Sequence, residues 1–247
     1  MTDFYNLKGK TAWIIGGKRI GQRIAEVLAG HGANLIISYN SSSEEAEETA
    51  QKARKLGARA ATVKADASKR EEVESAISEM AKNFKKIDIL VLMASVFDKM
   101  PLESVTDKEL DRNFAVHVKG TFWPIIESMN FMPAGSHIIT VCDRTSVGRM
   151  YAGYFPYVIT KGTIAFMTRE LAEELGSKGI FINSIAPGPI LKPKELPDSE
   201  WKKIREKSMI KYPITDGQAV DEFAKLVLYL STVRSSGSVY PLDLGHM

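Results

Sequence analysis

Tyr157 and Lys161 stand four residues apart in a stretch of helical periodicity, so one helix face carries a phenol and an ammonium toward the same small volume. An ammonium beside a phenol stabilises tyrosinate and lowers the phenol's pKa. The hydroxyl then donates and accepts protons near neutral pH, as hydride chemistry requires. The same spacing also describes an aromatic ring packed beneath a lysine stem. Asp143 ends an apolar run fourteen residues before Tyr157 and adds a carboxyl group. Ionised, it opposes tyrosinate; protonated, it donates to a substrate nitrogen.

A second constellation lies near the start. Gly16, Gly17, Lys18, Arg19, Ile20 and Gly21 follow the apolar run Thr11 to Ile15 and open an amphipathic stretch. Glycines at a strand-to-helix turn let the backbone approach a pyrophosphate, whose charge is met by free N–H groups and the positive end of the helix dipole. Such turns also occur with no ligand. The next apolar run ends in Tyr39, Asn40, Ser41 and Ser42, where folds that take NAD(H) place a carboxylate for the ribose hydroxyls. Without that carboxylate, and with Arg19 and the serines as donors, a 2'-phosphate is favoured, and so NADP(H) over NAD(H). Arg19 taken alone reads sooner as a solvated surface side chain, and its place inside the turn reverses that reading.

These residues need a scaffold, and the chain supplies one by alternation. Short apolar runs are expected as strands at 11–15, 35–39, 60–64, 88–93, 137–142, 180–185 and 238–242. Helical patterns fall between them at 20–29, 43–56, 69–84, 107–129, 157–175 and 216–230. The strands show little polar alternation, so both faces of the sheet should be covered. The expectation is one α/β domain over residues 1–247, a Rossmann fold with a doubly wound, parallel, seven-stranded sheet and helices on both faces. Ligands then sit at the carboxyl ends of the strands. The Pro-rich segment 189–212, with a charged helix around Trp201, reads as a substrate lid or as a solvated surface helix.

Composition narrows the function. Of 247 residues, 33 are basic and 30 acidic, and the charges are mixed along the chain, which argues against nucleic acid as the main partner. One cysteine excludes an intrachain disulfide and suits a reducing, cytoplasmic compartment. No apolar run approaches the roughly 18 residues of a membrane span. His31, His117, His137 and His246 are scattered, so no metal is expected. His31 reads as a helix-end cation, and Cys142, Trp13 and Trp123 as core residues.

Together, Gly9 to Gly16, Lys64-Ala-Asp66, Ile87 to Val91, Tyr157-x-x-x-Lys161, Asn183 to Gly188 and Pro241-Leu-Asp243 resemble the short-chain dehydrogenase/reductase family over essentially the whole chain. That resemblance implies an NADP(H)-dependent enzyme in which the cofactor supplies hydride, Tyr157 a proton, and Lys161 holds the nicotinamide ribose. It places Asp66 near the adenine and adds Ala67, Ala94, Ser95, Pro187, Gly188 and Ile190 to the cofactor set. His117 takes the place of the family's relay asparagine, and Asp143 that of its catalytic serine. Asp143, Arg19 and Phe97 after Ala94-Ser95 resemble the pteridine reductase branch, where a flat ring stacks on the aromatic residue and C=N or C=O is reduced. A 3-oxoacyl thioester or other carbonyl reductase, and an inactive NADP(H)-binding regulator, are the alternatives. The family also implies a small-molecule substrate and a homotetramer.

Overall fold

The computed structural model describes residues 4–16, 18–148, 150–193, 196–209 and 214–246. Seven strands form one sheet: β1 (Thr11–Gly16), β2 (Asn34–Tyr39), β3 (Ala60–Lys64), β4 (Ile89–Met93), β5 (His137–Val141), β6 (Phe181–Pro187) and β7 (Val239–Leu242). Every pairing is parallel, in the order β3-β2-β1-β4-β5-β6-β7. The doubly wound sheet expected from the alternation of runs is present. Its strand order reverses between β1 and β4, which opens a crevice at their carboxyl ends.

The helices are α1 (Lys18–Gly30), α2 (Ser43–Lys55), α3 (Arg70–Asn83), α4 (Asp107–Asn113), α5 (Gly120–Ser128), α6 (Phe155–Gly176), α7 (Asp198–Glu206) and α8 (Asp216–Leu230). Two cores follow from the period-2 alternation of strand side chains. Ile14, Leu35 and Ile37 face α1, α2 and α8 through Ile24, Leu28, Ala50 and Phe223. Trp13, Ile15, Ile36, Leu90 and Leu92 face the other way, onto Val73, Ile77, Ile125 and Leu175. Trp13 is fully buried and donates its indole N–H to Ser38 Oγ at 2.6 Å.

The continuous helix expected over 107–129 is broken. Between α4 and α5, Phe114–Lys119 form a π-helical turn in which the Gly120 N–H reaches back to the Ala115 carbonyl. A wider i→i+5 turn rotates the side chains that follow it, and such bulges favour functional positions. His117 lies inside it, fully buried.

Candidate active site

The β1/β4 crevice is a cavity of about 660 Å³ built from four strand ends. Gly16 and Lys18 come from the first, Tyr39 to Ser42 from the second, Ala65 to Ser68 from the third and Met93 to Val96 from the fourth, with Arg112 closing one side. Gly16 sits at φ +82°, and a Cβ there would lie 2.6 Å from the Ala94 backbone N. Only glycine lets the two strand ends come this close. Asp66 is held by its own turn, accepting from the Ser68 N–H at 3.0 Å and the Ser68 hydroxyl at 2.7 Å.

Of the residues expected to meet a cofactor, the structure brings Gly16, Asn40, Ser41, Ser42, Asp66, Ala67, Ala94 and Ser95 into this one cavity. Gly17 lies outside the described residues. Arg19 does not line the cavity: its guanidinium donates to the Lys192 carbonyl at 3.0 Å, across to the segment after β6. Lys18 takes the wall instead, 4.0 Å from Glu45. Ile20 turns toward the core beneath α1. Pro187, Gly188 and Ile190 lie at the end of β6, away from the cavity lining. Gly188 is fixed by packing, because a Cβ would lie 2.6 Å from the Asp243 carbonyl oxygen.

Beyond Val96 the chemistry-bearing groups converge. The Tyr157 hydroxyl donates to Asp143 Oδ2 at 2.9 Å, and Asp143 Oδ1 accepts the Thr145 N–H at 2.9 Å. Tyr151, which sequence reasoning missed, stands near the same carboxylate: burial, then the Asp143 charge, raise its phenol above the usual pKa. No local periodicity links Tyr151 to Asp143; a loop brings it there. Lys161 donates to the Val141 carbonyl at 2.8 Å, with Nζ 5.8 Å from the centre of the Tyr157 ring.

The electrostatics correct one expectation. Burial, then the Asp143 carboxylate, hold the Tyr157 phenol well above its usual pKa rather than below it. Burial moves Lys161 the other way, to about 8, against the pull of Cys142 and Asp143. Tyr157 therefore carries its proton at neutral pH, in a hydrogen bond to Asp143. Burial raises the Cys142 thiol, which agrees with a packing role.

Phe97 is 45% exposed and edge-on to Tyr157, with ring centres 4.7 Å apart. One of its faces is covered by Tyr154, stacked at 4.5 Å and 16°. Tyr154 thus takes one of the two faces that Phe97 could offer to a flat ring.

His117 sits edge-on to Tyr157 at 5.5 Å, and burial, then the Lys161 charge, lower its pKa to about 3. The segment expected as a lid carries α7, tied down by Arg205 to the Pro189 carbonyl at 2.7 Å and by Ser208 to the Leu244 carbonyl at 2.6 Å. Residues 194–195 and 210–212 of that segment lie outside the described residues. Among the described residues no group of three His, Cys, Asp or Glu side chains is placed to hold a metal ion. No described helix is long and apolar enough to cross a membrane.

A cavity of about 660 Å³ thus opens where the strand order reverses, and the Tyr157/Lys161 pair stands on α6 outside its lining. Residues 16–245 match the family model described as enoyl-(acyl carrier protein) reductase. A trihydroxynaphthalene reductase of Colletotrichum orbiculare is 32% identical over 75% of this chain and 66% of its own length. Versicolorin reductase 1 of Aspergillus parasiticus is 31% identical over 77% of this chain and 73% of its own. A Serratia marcescens short-chain dehydrogenase/reductase superposes with a TM-score of 0.89 at 28% identity, over 98% of this chain and 99% of that one. A Burkholderia cenocepacia short-chain dehydrogenase solved in complex with NADP gives the same TM-score at 27% identity, with the same coverage. The chain belongs to the short-chain dehydrogenase/reductase family of oxidoreductases.

Proposed function

We propose that this protein is an NADPH-dependent reductase of a C=O or C=N bond in a small planar ring compound, of the kind pteridine reductases take. The observation that carries this reading is the hydrogen bond from Tyr157 to Asp143, with Lys161 one helical turn away and Phe97 at its edge. A reduced nicotinamide dinucleotide, when bound, supplies the hydride. Tyr157 then gives its proton to the substrate oxygen or nitrogen as negative charge develops there. Lys161 stabilises the resulting phenolate, and Asp143 keeps the phenol aimed while offering an acceptor to a ring N–H or O–H. Phe97 and Tyr154 supply an aromatic wall that suits a flat ring better than a flexible acyl chain. The relatives named for hydroxynaphthalene and versicolorin reduction point toward flat ring substrates too. Segment 189–212 acts as the lid, and the reducing cytoplasm is the setting that a single buried cysteine suits.

The test is NADPH oxidation against hydroxynaphthalenones, dihydropterins, diketones, acetoacetyl thioesters and enoyl thioesters. Turnover confined to the thioesters would replace the planar substrate with an acyl one. Tight NADPH binding with no turnover of any compound would make the protein a regulator.

For the cofactor, the cavity wall carries Lys18, Asn40, Ser41 and Ser42, a cation and donors whose chemistry suits a 2'-phosphate. Lys18→Ala is expected to weaken NADPH binding about tenfold and leave NADH nearly unchanged, the loss of one charge-assisted contact. Arg19→Ala should do less, and titration of nicotinamide fluorescence ranks the two. The reverse ranking would return the role to Arg19.

Assembly as a homotetramer is supported by α6. Phe155, Ile159 and Phe166, the last 62% exposed, line an outward stripe that also holds Gly162, where a Cβ would meet nothing within 4 Å. Phe166→Glu is expected to lower the mass measured by light scattering; an unchanged mass would remove α6 from the interface.

A further inference from the structure

His117 bridges two walls of the site. Its Nε2 accepts the Val96 N–H at 3.1 Å and lies 3.0 Å from Ser95 Oγ, on the loop after β4. Its Nδ1 lies 2.7 Å from Thr160 Oγ1, in the turn of α6 between Tyr157 and Lys161. A backbone N–H only donates, so Nε2 is the acceptor and the proton of the neutral ring sits on Nδ1. Nδ1 then donates to Thr160, whose own hydroxyl proton goes to the Pro156 carbonyl at 2.7 Å, shared with the Tyr157 carbonyl at 3.0 Å.

At one end stands the Ser95 hydroxyl on the cavity wall; toward α6 this chain of hydrogen bonds ends on main-chain carbonyls. They hold no proton to pass on, and no described bond joins His117 to the Tyr157 hydroxyl or to Lys161. We infer that His117 is a positioning residue, a neutral single-tautomer clamp that sets the distance between the cavity wall at Ala94 to Val96 and the Tyr157–Lys161 turn of α6. It does not carry protons. Burial keeps the imidazole neutral, helped by the charges facing the ring, Lys161 on α6 and Arg112 on α4, both cations. The π turn holding His117 is what lets one side chain touch both walls.

The kinetic half of this inference rests on the reductase reading, while the structural half stands apart from it. With NADPH saturating, His117→Ala and His117→Asn are compared with wild type by amide hydrogen exchange at Val96 and by the pH dependence of kcat. Asparagine retains a donor for Thr160 but is too short to accept from Val96, and it protects the test if the alanine variant fails to fold. Val96 exchange is expected to accelerate at least about tenfold in both variants, since the amide loses its partner. For the alanine variant kcat should fall on the order of 100-fold, the cost of a displacement of about 1 Å, with both limbs of the pH profile unmoved and no recovery on adding imidazole. Unchanged Val96 exchange would overturn the clamp. A shifted limb, or recovery with imidazole, would make His117 a proton carrier and overturn the inference. Faster Val96 exchange in a protein that turns over none of the compounds would support the clamp while ending the reductase reading.

Discussion

Tyr157→Phe is expected to lower kcat by roughly 10² to 10⁴, the range covered by one positioned proton donor. The substitution removes a single oxygen. The ring keeps its edge contacts with Phe97 and His117, so fold and NADPH affinity should stay within about twofold of wild type. What is lost is the proton that Tyr157 holds against Asp143. Steady-state NADPH oxidation on the best compound, with binding measured separately, separates the two effects. A phenylalanine variant that turns over at the wild-type rate would show that the proton comes from elsewhere, and Tyr151, whose phenol feels the same Asp143 charge, would be the next candidate.

The second large effect is on stability in mild acid. Burial lowers the pKa of His117 to about 3 and that of His137 to about 4, from an ordinary value of 6.5. Above pH 6.5 both histidines are neutral in the folded and unfolded chains, and their full contribution is present. As the pH falls below 6.5, the unfolded chain takes up protons that the folded one refuses. Each histidine then costs about 1.4 kcal/mol per pH unit, until its folded pKa is reached. From pH 6.5 to 4.5 the pair removes on the order of 5 kcal/mol, comparable with the whole stability of a marginal domain. The carboxylates of Glu47, Glu72, Glu109 and Asp198 have pKa values lowered from 4.5 or 3.8, so the histidine window lies above theirs.

Urea titrations at intervals across that range measure the slope. His137→Leu is expected to remove about half of it, because His137 packs flat against Phe181 and its Nδ1 has no hydrogen-bond partner. Stability that stays level from pH 6.5 to 4.5 would contradict the burial argument for both rings.

Much of this molecule was legible before folding. The strand runs were expected within a residue or two of where they lie, because alternating short apolar runs and longer amphipathic stretches admit few other packings. Four-residue spacing was enough to put Tyr157 and Lys161 on one face of α6. Asp143 was recognised as a carboxyl group at a strand end, and it does meet Tyr157. The break in the helix at Phe114–Lys119 was not legible, because a π turn has the same local composition as the α-helix around it.

The direction of the phenol's pKa was read the wrong way, since burial outweighs a lysine that bonds to Val141 rather than to the tyrosine. Arg19 was favoured over its neighbour on type and position alone. Which of two adjacent cations enters the cavity depends on a carbonyl 173 residues further along the chain. Periodicity and spacing are local, so the order of elements and the Tyr/Lys face belonged to the sequence itself. Where each proton rests, which cation lines the cavity and what His117 holds together were decided only when distant segments met, because burial and hydrogen-bond partners are properties of the packed chain.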